Sequence, residues 1–94
     1  MTGLVLAPKF HRAYRKAIKR HKGWQATIDT VIRTLASDPF SPHLGTHKLS
    51  GHLVGCWACF CGYDCRIIFA LERDPESGEE VILLLDIGTH DEVY

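Results

Sequence analysis

CRIIFALERDPESGEEVILLLDI, residues 65–87, reads as two strands and the hairpin between them. From Cys65 to Glu72 the side chains alternate. Cys65, Ile67, Phe69 and Leu71 fall on one face, and Arg66, Ile68, Ala70 and Glu72 on the other. Arg73 to Gly78 carries Asp, Pro, Ser and Gly, the chemistry of an exposed hairpin loop. Val81 to Ile87 is apolar on both faces, which marks an interior strand. Upstream, Leu53 to Cys61 supplies a third strand, with Gly62-Tyr63-Asp64 as the turn. The unit is an antiparallel meander of three strands.

The segments before the meander are helical. Phe10, Tyr14, Ala17, Ile18 and His21 recur at helical spacing, and Pro8 suits a first turn, where its missing N–H is not needed. Gly23 interrupts this helix of Pro8 to about Lys22. A second helix, about Trp24 to Ser37, buries Trp24, Ile28, Val31, Ile32 and Leu35, and Pro39 stops it. Leu4-Val5-Leu6 is a short edge strand. Helices grouped ahead of strands predict an α+β fold, with an αα-hairpin packed on one face of the sheet. Residues 38–52 read as a long loop holding His43, His47, Lys48 and His52. The bland reading of its histidines is surface polarity.

At 94 residues, with 46% hydrophobic and 23% charged side chains, the chain is expected to be one globular domain, 1–94. No apolar run is long enough to span a bilayer. No basic region or cleavage site marks a signal peptide, so a cytoplasmic protein with no membrane partner is expected. The net charge of zero hides an asymmetry. Residues 1–28 contain no acid, and seven Lys or Arg lie between Lys9 and Lys22. Residues 67–94 hold eight acids and one base, Arg73. The two elements could pair with each other or face different partners.

Cys56, Cys59, Cys61 and Cys65 lie within ten residues. Cys56-x-x-Cys59 has a metal-like spacing, but a second pair is missing. Strand alternation would send Cys56 to one face and Cys59 and Cys61 to the other. Buried core thiols are expected, with neither a zinc site nor a disulfide framework.

In a meander, the start of strand 65–72 lies beside the end of strand 81–87. Asp64 and Arg66 should therefore sit near Gly88-Thr89-His90, with Arg66 on the face away from Ile67. Such a grouping suits RNA cleavage through the 2′-hydroxyl. Histidines serve as general base and acid, an arginine steadies the phosphate charge, and an aromatic ring stacks a base. No metal or other cofactor is needed. The plain alternative for Arg66 is an ion pair with Asp64 or Asp86.

The order of elements, the loop His47-Lys48-Leu49-x-Gly, the strand Tyr63-Asp64-x-Arg66-Ile67-Ile68-Phe69 and the closing Gly88-Thr89-His90-x-x-x-Tyr94 resemble the RelE/ParE superfamily of bacterial toxins. Within it the resemblance is to the YafQ-like branch of RelE mRNA interferases, over nearly the whole chain. It implies a ribosome-dependent endoribonuclease that cuts mRNA in the A site and pairs with a cognate antitoxin. By position, His47 matches the branch's loop histidine, a proposed acid/base residue. Asp64 matches its strand aspartate, His90 its C-terminal catalytic histidine and Tyr94 its terminal aromatic residue. Arg66 matches the strand arginine of wider RelE proteins.

On this reading His47 and His90 transfer protons, Arg66 stabilises the phosphate, Asp64 orients a histidine and Tyr94 stacks a base. Lys48 would touch phosphate. The sequence departs from the branch in two ways. Phe60 stands where the branch has another histidine, for which His52 is a candidate substitute, and the chain is neutral rather than basic. A ParE-like toxin that binds DNA gyrase without cutting RNA, or a degenerate inactive toxin, are the rival readings.

Overall fold

The structure, a computed structural model, describes residues 3–94. Met1 and Thr2, with which the expected domain begins, lie outside the described residues. The chain runs through β1 (Gly3–Leu6), α1 (Pro8–Arg20), α2 (Trp24–Ser37), β2 (His47–Lys48), β3 (Trp57–Phe60), β4 (Arg66–Arg73), β5 (Glu80–Gly88) and α3 (His90–Val93). The fold is α+β. Its sheet has five strands in the order β1-β5-β4-β3-β2, with the expected meander as its centre. β1 pairs in parallel with β5, and every other pairing is antiparallel.

Sequence alternation sets the two faces. Phe10, Ile28 and Leu35 from the helices close over Cys59, Ile67, Phe69, Ile82 and Leu84. Opposite Ile68 and Phe69, β5 carries one extra residue, because Ile68 pairs with Asp86 and Phe69 with Leu84. A bulge of this kind reverses the alternation. It lets Ile82, Leu84 and then Ile87 all reach the helix-side core. The other face holds a smaller cluster, Ala58, Ile68 and Val93, with Leu49, Cys56 and Leu85 at its rim.

α1 ends at Arg20, two residues before the expected Lys22. The His21 N–H still donates to the Ala17 carbonyl, but His21 is extended and its ring stacks on Trp24 at 3.8 Å. Gly23 then turns the chain at φ +90°, where a side chain would be strained. The Tyr14 hydroxyl donates to Asp29 at 2.7 Å and ties the two helices together.

Three expectations need correction. The strand expected over 53–61 is confined to Trp57–Phe60, because residues 51–53 form a 3₁₀ turn and Gly51 and Gly55 adopt positive φ. Residues 38–52 are not a featureless loop. Pro42–Leu44 is a second 3₁₀ turn, Leu44 is buried, and the Thr46 hydroxyl donates to the Pro39 carbonyl at 2.5 Å. His47 and Lys48 then add a strand to the sheet, opposite Ala58 and Trp57. The tail after Gly88 forms one helical turn.

Finally, Cys61 and Cys65 are joined in a disulfide, with Cα atoms 5.0 Å apart across the turn between β3 and β4. That separation lies within the range a bridge spans, a local geometry that compartment alone does not reveal. Cys59 remains a buried thiol and Cys56 a half-buried one.

Candidate active site

The site lies on the sheet face away from the helical hairpin. Register determines which residues reach it. His47 lies opposite Ala58, and Ala58 opposite Ile68, so these three share a face. Two residues along, Phe60 lies opposite Arg66, and Arg66 opposite Gly88. The His47 and Phe60 rings meet with centroids 5.9 Å apart. The Arg66 guanidinium lies over the Phe60 ring at 4.3 Å, and its Nη1 donates to the Cys65 carbonyl at 3.1 Å. Cation and ring hold each other in place.

Two glycines make room for this arrangement. Gly45, at φ +62°, runs directly beneath Phe60, and a Cβ there would come within 2.6 Å of the ring. Gly88 leaves space beside Arg66 for the returning tail. Its Cβ would meet Glu92 at 3.0 Å.

α3 brings the last two side chains. Val93 is the apolar residue that seats it on Ala58 and Ile68. Thr89 and Glu92 form a reciprocal capping box, with the Glu92 carboxylate accepting from the Thr89 N–H at 2.9 Å. The other Glu92 oxygen lies 3.2 Å from Arg20 and 3.8 Å from Lys16, both on α1. The Thr89 amide, with the α1 cations adding to it, holds the Glu92 carboxyl below its ordinary value. Lys9 pairs with Asp86 at 3.3 Å. The basic helix and the acidic tail therefore engage each other, one of the two outcomes their charges allowed.

The result is an open cleft of about 440 Å³, lined by His47, His52, Phe60, Arg66, His90 and Tyr94 among others. His90 and Tyr94 meet edge to face, centroids 4.7 Å apart. Nδ1 of His47 lies 3.0 Å from the Gly45 carbonyl. In the tautomer that donates this bond, Nε2 keeps its lone pair and can accept a proton. Burial pushes the Tyr94 phenol up from its ordinary value, against the opposing pull of Arg66. Tyr94 is thus a neutral hydroxyl at physiological pH.

Two candidates stand elsewhere. Lys48 follows His47, so alternation turns it to the helix side of the sheet, where its ammonium lies 5.5 Å over Trp57. It is absent from the cleft lining. Asp64, at φ 51°, accepts from the backbone N–H of His90 at 3.2 Å. It reaches the main chain of His90 rather than its ring, so any orienting effect acts through the start of α3. The ion pairs considered for Arg66 do not form, and Asp86 pairs with Lys9 instead.

Glu92 was missed from sequence, although Thr89-x-x-Glu92 is a legible capping signature. The role of Gly45 had no such signal, because its neighbour Phe60 is distant along the chain. Among the described residues, no group of three or more His, Cys, Asp or Glu is placed to hold a metal ion. No helix among them is long and apolar enough to cross a membrane.

A family model described as the bacterial toxin of type II toxin–antitoxin systems, YafQ, matches residues 3–94. No curated protein matches the chain. YafQ from E. coli strain BL21(DE3) has the same fold, with a TM-score of 0.81 at 17% identity, over 100% of this chain and 99% of that one. A copper-bound mutant toxin from Helicobacter pylori gives 0.78 at 23% identity, with both chains fully covered. YafQ in the E. coli DinJ–YafQ toxin–antitoxin complex gives 0.78 at 17% identity, over 99% and 97% of the two chains.

Proposed function

Because this chain belongs to the YafQ family of type II toxins, we propose that it is a ribosome-dependent endoribonuclease that cleaves mRNA by metal-free acid/base catalysis. The observation that carries the reading is the meeting of His47, Arg66, His90 and Tyr94, from β2, β4 and the tail, around one cleft.

The chemistry follows from that grouping. A general base removes the proton from a ribose 2′-hydroxyl, whose oxygen then attacks the adjacent phosphorus. The bond to the 5′-oxygen breaks, and a general acid protonates that leaving group. The products are a 2′,3′-cyclic phosphate and a 5′-hydroxyl. His47, with its free Nε2, suits the base, and His90 suits the acid. Arg66 neutralises charge on the phosphorane oxygens. Tyr94 provides a wall for a base, and His52 a further polar contact to the strand. Asp64 is a positioning residue, acting through the His90 amide. Phe60 occupies the place of the histidine found in the YafQ-like branch. Three other histidines still line the cleft, which argues against a degenerate toxin.

The E. coli DinJ–YafQ complex supports a cognate antitoxin as the partner that silences the protein. The decisive test is His90→Ala. The variant should lose mRNA cleavage on translating ribosomes and lose growth arrest, while keeping its fold and its antitoxin. Full toxicity in that variant would remove His90 from the mechanism. In cells, rapid loss of protein synthesis supports cleavage, whereas filamentation with DNA damage would point to gyrase instead.

A further inference from the structure

The catalytic cleft is only one side of Phe60 and Arg66. A second hollow, of about 580 Å³, uses the same two side chains as its wall and continues toward the turn between β3 and β4. Its other boundaries are Val31, His43, Tyr63 and Asp64. Both hollows fall within the roughly 300–1,000 Å³ typical of ligand clefts. Phe60 and Arg66 thus form a ridge between two chambers rather than the back of one.

The aromatic residues along this path are exposed. Phe60 is 41% accessible, and Tyr63 is 96% accessible at the tip of the turn. Neither ring contributes to the core. Exposed rings beside a cation are the features with which proteins hold single-stranded nucleic acid, rings stacking on bases and the cation meeting the phosphate. The disulfide between Cys61 and Cys65 fixes the turn that carries Tyr63.

We infer that the second hollow binds the nucleotide adjoining the scissile phosphate, so that one RNA strand crosses the Phe60–Arg66 ridge with a base on either side. This inference rests on the nuclease reading above. A phosphate on Arg66 leaves one neighbouring nucleoside against His90 and Tyr94. The other falls between Phe60 and Tyr63. One Asp64 oxygen already accepts from the His90 amide, and the carboxylate lines the hollow. It accepts hydrogen bonds and donates none, so it meets a donor on the base edge, an exocyclic amine or a ring N–H, rather than a carbonyl.

The test uses ribosomes programmed with mRNAs that differ only at the two nucleotides flanking the cut. Tyr63→Ala should raise KM by about fivefold or more, the effect of losing one base–aromatic stack. It should also flatten the preference at one flanking nucleotide while kcat changes little. Tyr63→Phe, which keeps the ring, should restore both. An unchanged KM and preference in Tyr63→Ala, with the parent protein cutting normally, would overturn the subsite and leave the nuclease reading intact.

A second measurement needs no cleavage. A 2′-O-methylated mRNA with 5-iodouridine at each flanking position is photo-crosslinked to the protein on the ribosome. Attachment at Tyr63 supports the strand path even if no cutting occurs. Attachment confined to Tyr94 or to α1 overturns it.

Discussion

Removing one carboxylate should loosen the site without touching the cleft. Glu92 caps α3 through the Thr89 amide and reaches Arg20 and Lys16 of α1. The hydrogen bond contributes about 1 kcal/mol. The two exposed ion pairs add roughly 0.5 kcal/mol together. Glu92→Ala should therefore weaken the seating of α3 by about 1.5 kcal/mol, roughly tenfold in the ratio of seated to released tail. Glu92→Gln keeps an oxygen for the Thr89 N–H and loses the ion pairs, so it should cost only about a third as much. Gly88→Ala should imitate Glu92→Ala, because its Cβ would press on the Glu92 side chain at 3.0 Å.

Amide hydrogen exchange of residues 89–94 reads the seating directly. Glu92→Ala should speed it about tenfold, with exchange in β4 unchanged. The same contact gives a pH dependence. The folded-state pKa of Glu92 lies below its ordinary 4.5. Its contribution is thus fully present above that value and is lost as pH falls through the folded pKa. Wild-type protection should be flat around neutrality and decline in acid. Unchanged exchange in Glu92→Ala, or equal damage from Gln and Ala, would refute the capping argument.

Gly45→Ala places a methyl group against the Phe60 ring at a left-handed φ. It should destabilise the protein by about 1–3 kcal/mol in denaturant titrations and lower cleavage by displacing Arg66. Arg66→Lys keeps the charge but loses the planar fork and its stacking on Phe60. It should reduce kcat substantially while thermal stability stays close to wild type. Burial pushes the Cys59 thiol up to about 12. An alkylating reagent without reductant should therefore label Cys56 alone in the native protein, and Cys56 with Cys59 after unfolding. Replacing Cys61 and Cys65 by Ser should cost about 2 kcal/mol for so short a loop, measured as a fall in the denaturation midpoint.

What could be read from the residues follows from their periodicity. Alternation in β4 and the doubly apolar β5 specify the meander, and the stripe through Phe10, Ala17, Ile28 and Leu35 specifies the helices that cover it. Antiparallel pairing alone brings Asp64 to His90 and turns Arg66 to the open face. The rest depended on contacts without a local pattern. A strand of two residues, His47–Lys48, is too short to show a period, yet its register separates the cleft-facing histidine from the lysine behind it. The disulfide was hidden because a cysteine's chemistry suggests a compartment, while bridging depends on two Cα positions across a turn. The closing helix has only four residues, and its capping residues are the sole sequence trace it leaves.

The parallel pairing of β1 with β5 has a consequence in time. Among the described residues, residues 3–6 pair in the sheet with residues 81–84 alone, and α3 follows β5 in the chain. Such distant contacts close late and slowly. During synthesis, the helical hairpin emerges long before the strand that completes its sheet. His47 and Arg66 are both made before the tail that carries His90 and Tyr94. On the proposed mechanism, a nascent copy therefore lacks a complete cleft until residues 89–94 have emerged and docked.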